Sequence, residues 1–256
     1  MFFDQKLSFE ISYYNTLRDG IIGRQTNSLP GITGTTDALP YVNHNKYRYY
    51  GIETGLKITN NFGKLIYSVG GNATFQNSKI EKYDEPNYRF DYQFRNGQSV
   101  DTYWGLTYIG KFKSDEEAFV IPQLFDPVLK KGDLKYKDMN NDGVVDENDN
   151  SAIGNTSPRL FYSLNLNFKY SNFELMILGV GAALFDIPMT NAHFFNGWGD
   201  NNYSTFVRDN LGDAYPRLTY NIVNNNFRGS TFWLTKGDYF KIKNIEVAYT
   251  MPCNML

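Results

Sequence analysis

Short segments in which apolar and polar residues alternate recur along this chain, and they constrain its fold more than any other feature. In the first segment the apolar residues Leu7, Phe9 and Ile11 alternate with polar ones. A period of two residues places successive side chains on opposite faces of a β-strand. The sequence therefore predicts an all-β fold with six strands of about ten residues: Lys6–Asn15, Lys46–Thr59, Lys64–Gln76, Arg159–Tyr170, Phe173–Leu184 and Asp238–Met251.

The connections between these segments alternate strictly between long and short. Two of them, Asn60–Gly63 and Ser171–Asn172, are tight turns, whereas the other three run to about 30, 80 and 50 residues. Outer-membrane barrels have this layout, with short periplasmic turns, long extracellular loops and strands that are apolar outside and polar inside. We therefore expect a partial antiparallel transmembrane β-barrel of about six strands with long extracellular loops. A water-soluble all-β protein with one solvated sheet face remains the alternative at this point.

Composition agrees with a strand-based membrane protein and argues against nucleic-acid binding. Aromatic residues make up 17% of the chain, and the net charge is −2, which provides no basic surface. Tyrosines cluster near the predicted strand ends, as in an interfacial aromatic girdle. The longest apolar run, Leu175–Phe185, has 11 residues, which is shorter than the ~18 that a transmembrane helix requires. The first residues also lack the features of a signal peptide.

The stretch "DMNNDGVVDEND", Asp138 to Asp149, has the spacing of an EF-hand calcium loop. Such a loop supplies oxygen ligands from positions 1, 3, 5, 7, 9 and 12, with glycine at position 6. Gly143 occupies the sixth position. The candidate ligands are Asp138, Asn140, Asp142, the carbonyl of Val144, Asp146 and Asp149.

Two interpretations of this acidic loop are open. In the first, residues 131–154 form an EF-hand-like extracellular loop that holds a structural calcium ion. Asp149 departs from the usual glutamate at position 12, and its shorter side chain reaches less far toward an ion. In the second, the loop is a metal-free series of turns, because Asn, Asp and Gly favour turns.

A second candidate site lies in the aromatic loop from Asn191 to Phe206. Phe194, Phe195, Trp198 and Tyr203 stand there among Asn and Asp residues. Their rings would stack on sugars as a substrate-binding surface, or would pack the loop against itself or a partner; we favour packing. No known catalytic motif and no credible acid/base pair occurs in the sequence, so we do not expect an enzyme.

Four stretches resemble the SusC/RagA family of TonB-linked outer-membrane transporters of Bacteroidetes. They are "YYGIETGLKI", "RNGQSVDTYWGLTYIGKF", "KGDYFKIKNIEVAYTMP" and, as the most specific, "KGDLKYKDMNNDGVVDENDNSAIGNTSPRLFYSLNLNFKY". Together they extend over nearly the whole chain, so residues 1–256 are identified as the C-terminal part of such a receptor barrel. The resemblance implies that the plug, the TonB box and the last barrel strands lie outside this chain.

The resemblance also implies a function and partners. The whole transporter would import glycans or peptides through the bacterial outer membrane, in contact with its lipid. A SusD-like lipoprotein would cover the extracellular mouth, and TonB would act through the N-terminal region that this chain lacks. A calcium-stabilised cell-surface adhesin, or a carbohydrate-binding β module, is the alternative function.

Overall fold

One large antiparallel sheet and a folded set of connections make up the protein, of which we obtained a computed structural model. The structure describes residues 6–27, 39–120, 122–126, 128–190, 205, 209, 215–219 and 221–251. Twelve strands occur there, together with short 3-10 turns. The strands are β1 (Leu7–Gly23), β2 (Val42–Phe62), β3 (Leu65–Lys82), β4 (Thr102–Gly105), β5 (Tyr108–Lys111), β6 (Leu134–Tyr136), β7 (Ser151–Asn155), β8 (Leu160–Tyr170), β9 (Phe173–Ala183), β10 (Asp186–Pro188), β11 (Leu234–Lys236) and β12 (Tyr239–Tyr249).

The six predicted strands form one sheet, which we call the wall. Its order is β1-β2-β3-β8-β9-β12, so each long strand pairs with the next one along the chain. All five pairings are antiparallel. Within the described residues the sheet is open, with β1 and β12 at its edges. This confirms the predicted all-β fold with a partial, antiparallel wall.

The register of the wall sorts side chains into one apolar and one polar face. One row of paired residues crosses all six strands and is apolar throughout: Leu7, Ile58, Val69, Leu166, Ile177 and Ile245. The neighbouring row contains Ser8, Lys57, Gly70, Asn165, Leu178 and Asn244. A one-residue slip of any strand would move its apolar side chains to the polar face of the sheet. The observed register therefore keeps the apolar and polar side chains on separate faces.

The apolar face is open rather than covered by another layer of the protein. Phe9, Ile11 and Val247 retain 63%, 61% and 70% of their accessible surface. A contiguous apolar surface of this kind marks a region that contacts a partner or a membrane. None of the helices that the structure describes is long and apolar enough to cross a membrane.

Three wall strands extend beyond the predicted boundaries at the end of the wall that carries the long connections. β1 continues to Gly23 instead of ending at Asn15, β2 begins at Val42, and β3 runs on to Lys82. The register shifts between Arg18 and Ile21, where Gly20 has φ 73°. A bulge there breaks the period of two, which is why alternation in the sequence did not reveal the extension.

β9 alternates poorly because aromatic side chains from neighbouring strands occupy positions where it has glycine. The rings of Tyr162 and Phe240 stack with centroids 5.9 Å apart. A Cβ atom added to Gly179 would lie 2.3 Å from the Phe240 ring, and one added to Gly181 would lie 2.4 Å from the Tyr162 ring. The two glycines thus belong to the apolar face, where neighbouring rings fill the space above them.

The two longest connections fold together instead of forming separate loops. They comprise residues 83–159 and the described part of 184–238, and we call them the loop cap. Three clusters of buried residues form its core, and the third contains Tyr215, Phe227 and Trp233. Trp233 is 2% exposed, and its Nε1–H donates to the Asn226 carbonyl at 2.8 Å. The cap therefore has a hydrophobic core of its own.

Candidate functional site

The acidic loop from Asp138 to Asp149 is anchored in the core of the cap by one apolar side chain. Val145 is fully buried and packs with Leu134 and Tyr136 of β6. Its amide donates to the Pro122 carbonyl at 2.9 Å, and its carbonyl accepts from the Leu124 amide at 3.0 Å. β6 precedes the loop and β7 follows it, so both of its ends are held by strands.

The first half of the loop turns sharply around Asp138. The Asn141 amide donates to Asp138 Oδ1 at 2.6 Å, and the Gly143 amide donates to Oδ2 at 2.8 Å. Asn141 has φ 57° and Gly143 has φ 89°. Asparagine tolerates this left-handed region better than most residues, and glycine adopts it without strain. Glycine at the sixth position therefore has the turning role that the spacing predicts.

The last residue of the loop closes it from inside. Asp149 is fully buried; its Oδ1 accepts from the Met139 amide at 2.7 Å and its Oδ2 from the Asp146 amide at 2.8 Å. Burial raises the pKa of Asp149 and outweighs these hydrogen bonds, and the charge on Asp138 adds to the rise. The carboxylate thus joins the two ends of the loop through backbone amides.

The loop is strongly negative, and its Glu147 Oε1 pairs with Arg228 Nη1 at 2.9 Å. No ion pair among the described residues includes Asp138, Asp142, Asp146 or Asp149. Burial raises the pKa of Tyr92, and the negative charges of these four carboxylates raise it further. Within the described residues, no three His, Cys, Asp or Glu side chains converge closely enough to hold a metal. The side-chain oxygens of the loop have the chemistry and the spacing of calcium ligands. In this structure, however, they accept hydrogen bonds from backbone amides of the loop.

A cavity of about 570 Å³ lies where the cap meets the polar face of the wall. Tyr14, Arg18 and Tyr49 line it from the wall, and Asp101 and Arg159 line it from the other side. Gln76 Nε2 donates to the Pro158 carbonyl at 3.1 Å, which helps to fix the cap to β3. The polar face thus encloses space together with the cap.

Asp101 is the hub of this junction. Its Oδ1 accepts from Arg159 Nη2 at 2.9 Å and from the Ser99 hydroxyl, and its Oδ2 accepts from the Ser157 amide at 3.0 Å. Burial by itself raises the pKa of Asp101, but the bonds from Ser99 and Ser157 and the Arg159 charge outweigh it, so the pKa is lowered. The sequence did not single out this pair, because the partners are 58 residues apart.

A patch of exposed apolar side chains lies on the cap beside the acidic loop's anchor. We call Phe119, Val120, Leu124 and Val128 the apolar patch; they are 76%, 75%, 66% and 56% exposed. A shallow cavity of about 330 Å³ is lined by Phe119, Leu124 and Leu129. Exposed apolar side chains in such a group are typical of an interaction surface.

The second predicted site lies outside the part of the chain that the structure describes. Phe194, Phe195, Trp198 and Tyr203 all belong to this portion, so their proposed role in substrate binding stays a prediction. The acidic loop and the cavity at Asp101 belong to the same cap, but they are lined by different residues.

Known proteins with similar sequences are TonB-dependent receptors. The chain is 26% identical over 167 residues to "TonB-dependent receptor P26" of Formosa agariphila, covering 62% of this chain and 16% of the relative. It is 19% identical over 278 aligned positions to "TonB-dependent receptor P3" of the same organism, covering 99% of this chain and 26% of the relative. The chain thus spans about a quarter or less of these relatives. No protein-family model matches it.

Solved structures with the same fold come from the RagAB peptide importer. In its closed-closed and open-open states, TM-scores are 0.66 and 0.69 at 14% and 15% identity. A further structure, of the RagAB peptide transporter, gives a TM-score of 0.70 at 14% identity. Each match covers 99% of this chain and 27–28% of the solved one.

The descriptions of these proteins agree with one another. They also agree with a sheet that has one apolar and one polar face. The two sequence relatives are described as receptors and RagAB as an importer or transporter, in agreement with the expectation that the chain is not an enzyme. The sequence relatives are named TonB-dependent receptors, and the solved structures share the fold of the sheet and cap. The chain is therefore similar in sequence to TonB-dependent receptors, and its sheet and cap share the fold of a section of the RagAB importer.

Proposed function

We propose that this chain forms part of the barrel wall and the mouth of an outer-membrane importer driven by TonB. The observation that carries the proposal is the row-by-row separation of the wall into an open apolar face and a polar face that meets the cap. In such a barrel the apolar face contacts lipid and the polar face lines the lumen. The ligand would be an oligosaccharide or a peptide.

Import is tested in cells that lack the gene for the full-length protein. Labelled oligosaccharides and peptides are offered to the deletion strain, to the complemented strain and to a strain without TonB. We expect uptake of one class to disappear in the deletion and TonB-free strains and to return on complementation. Binding of a ligand to the cell surface without uptake would favour an adhesin or a carbohydrate-binding module instead.

We further propose that a SusD-like lipoprotein docks on the apolar patch. Four apolar side chains that are more than half exposed are costly to leave in water. Phe119, the most exposed of them, offers the partner an aromatic anchor beside the shallow cavity that Phe119 and Leu124 line. Aromatic anchors of this kind dominate the energetics of protein interfaces.

Co-purification of the lipoprotein with the full-length transporter tests this docking surface. The double variant Phe119→Asp/Leu124→Asp is expected to lose most of the bound partner, because two carboxylates would be desolvated in the interface. Ile187→Asp is the control, since Ile187 is apolar and 46% exposed but belongs to β10 rather than to the patch. Equal recovery of the partner with both variants would rule out the patch as its docking site.

For the acidic loop we propose a structural calcium ion held by Asp138, Asn140, Asp142, the Val144 carbonyl, Asp146 and Asp149. The support is the ligand spacing, the turn at Gly143 and the concentration of four carboxylates without an ion pair among the described residues. Bound calcium would replace repulsion between these carboxylates with attraction to the ion. A weak site suffices outside the cell, where such modules bind calcium at about 10⁻⁴–10⁻³ M.

Isothermal titration of calcium into the full-length protein tests the site. Wild type is expected to bind about one ion per chain in this loop, and Asp142→Ala is expected to abolish that binding. Asp126→Ala provides the control, since Asp126 lies outside the loop. If wild type and Asp142→Ala bind calcium equally, the loop is the metal-free turn that its internal hydrogen bonds already describe.

A further inference from the structure

The cap contains a cleft whose charged lining is entirely cationic. Its volume is about 700 Å³, within the range of small-molecule sites. The charged residues that line it are Lys111, Lys113, Lys131 and Arg217, and no acidic residue is among its described lining. This contrasts with the chain as a whole, which has a net charge of −2.

Two of these cations are held in place by the protein. Lys111 Nζ donates to the Tyr215 carbonyl at 2.6 Å. Arg217 makes two bonds to the fully buried Asp133, from Nε at 3.1 Å and from Nη2 at 2.9 Å, yet its side chain stays 31% exposed. These bonds fix the two cations against the cleft before a ligand arrives, which lowers the entropy lost on binding.

Lys113 and Lys131 add exposed positive charge at the same cleft. Both residues are exposed, and among the described residues neither ammonium group makes a hydrogen bond or an ion pair. The nearby carboxylates of Glu117 and Asp115 accept hydrogen bonds from the backbone amides of these two lysines, and Glu117 also pairs with a third lysine. Glu117 Oε1 pairs with Lys135 Nζ at 2.6 Å, and Asp115 Oδ1 accepts from the Lys131 amide at 2.7 Å.

The rest of the lining suits a ligand with both charged and apolar parts. Phe112 and Tyr215 are 2% and 3% exposed, so their rings form a rigid base. Tyr215 in turn packs edge-on against Trp233, with ring centroids 5.5 Å apart. Gly110 has φ 132°, and a Cβ atom added there would meet nothing within 4 Å, which leaves bare backbone for a ligand to approach.

We propose that this cleft binds a carboxylate or sulfate group of a short acidic oligomer. The inference rests on the proposed import function for its biological role, because it names the chemistry of the ligand that the importer would select. Both oxyanions accept charge-assisted hydrogen bonds from lysine and arginine, which are stronger than bonds between neutral groups. The volume accommodates a unit of about the size of a disaccharide or a small peptide.

The test measures binding to the purified full-length protein in detergent, separately from uptake. The probes are tetraglutamate, a sulfated tetrasaccharide and neutral maltotetraose. At least one acidic probe is expected to bind, with an affinity that falls as salt is added, and the neutral sugar is expected not to bind at this cleft. The acidic probe that binds more tightly shows whether the oxyanion comes from a peptide or from a sugar.

Paired variants assign the binding to the cleft. Lys113→Gln/Lys131→Gln is expected to weaken acidic-probe binding roughly fivefold, the effect of losing two partly screened ion contacts. The control Lys64→Gln/Lys169→Gln removes two exposed lysines near the short turns of the wall and is expected to change nothing. Failure of both acidic probes to bind, or equal binding by both double variants, would overturn the proposal. If the full-length protein binds an acidic probe at this cleft but cells do not take that probe up, only the proposed import function would be contradicted.

Discussion

At the scale of single residues, two aspartates in the cap show how surroundings decide what a carboxylate does. Asp101 is met by a guanidinium, a hydroxyl and an amide, so its charged form is favoured. Asp149 accepts from two amides but is buried, and this burial, with the charge of Asp138 added, disfavours its charged form. The sequence identifies Asp149 through its spacing from Asp138, whereas nothing local in the sequence identifies Asp101.

Removal of the Asp101 charge is expected to loosen the junction between cap and wall. Asp101→Asn leaves Arg159 without its ionic partner where both side chains are only 14% exposed, at a cost of about 3 kcal/mol. Hydrogen exchange should then accelerate in residues 97–101 and 156–159. Glu116→Gln is the control, because Glu116 is exposed and makes no ion pair among the described residues. Unchanged exchange at both segments would contradict the assigned role of Asp101.

The same residue gives the junction a pH dependence. Because the folded state lowers the pKa of Asp101 below its ordinary value of 3.8, the stabilisation is present above that value. It is lost as the pH falls through the lowered pKa of the folded state. Thermal unfolding from about pH 6 to about pH 2 should show wild type approaching the Asp101→Asn variant only at the acidic end. A constant difference between the two across this range would contradict the prediction.

For Asp149 the predicted change of stability with pH has the opposite sign to that for Asp101. Its pKa is raised in the folded protein, so without a bound cation the loop is most stable below about pH 3.8 and loses stability as the pH rises through the raised pKa. Asp149→Asn removes that charge but presents an NH₂ group to one of the two amides it now accepts from, at a cost of about 1–3 kcal/mol. The loss of these hydrogen bonds is measured by hydrogen exchange of the Met139 and Asp146 amides. Unchanged protection of both amides would refute the conclusion that Asp149 joins the two ends of the loop.

At the scale of elements, the wall could be predicted from the sequence and the cap could not. A strand can be recognised from the alternation of apolar and polar residues over a short segment, such as the one that contains Leu7, Phe9 and Ile11. The cap's core depends instead on contacts between distant segments, such as the Leu134 amide and Asn226 Oδ1, 92 residues apart. No local pattern marks such a pair. The sequence therefore predicted long loops where the protein has a folded layer.

The glycines of β9 provide a matched test of how the wall is packed. A Cβ atom at Gly181 would lie 2.6 Å from the Tyr239 carbonyl oxygen, which is backbone, whereas at Gly179 the nearest contacts are with the Phe240 ring. Gly181→Ala is therefore expected to weaken the pairing of β9 with β12, because backbone cannot move aside as a ring can. The folded yield in detergent micelles, compared with Gly179→Ala, measures this. A lower yield for Gly179→Ala than for Gly181→Ala would reverse the argument.

At the scale of the whole molecule, the two faces of the wall make different demands on substitutions. Leu164 and Asn165 are neighbours in β8, and their rows lie on the apolar and polar faces. A lysine on the lipid side of a barrel costs about 2–4 kcal/mol near the middle of the membrane. Leu164→Lys is therefore expected to reduce insertion of the full-length protein into lipid vesicles, whereas Asn165→Lys should insert normally. Equal insertion would mean that the apolar face does not contact lipid.

Because the two long connections pack together into one cap, the parts of the protein must form in a certain order. Residues 83–159 precede the β8–β9 hairpin along the chain, and residues 184–238 follow it. Buried bonds such as that between Asn226 Nδ2 and Asp133 Oδ1 join the two parts. The cap's core thus cannot close until the hairpin has brought the second connection back to the same end of the wall. Closing such long loops is slow, so we expect the cap to form last, after the wall strands have paired.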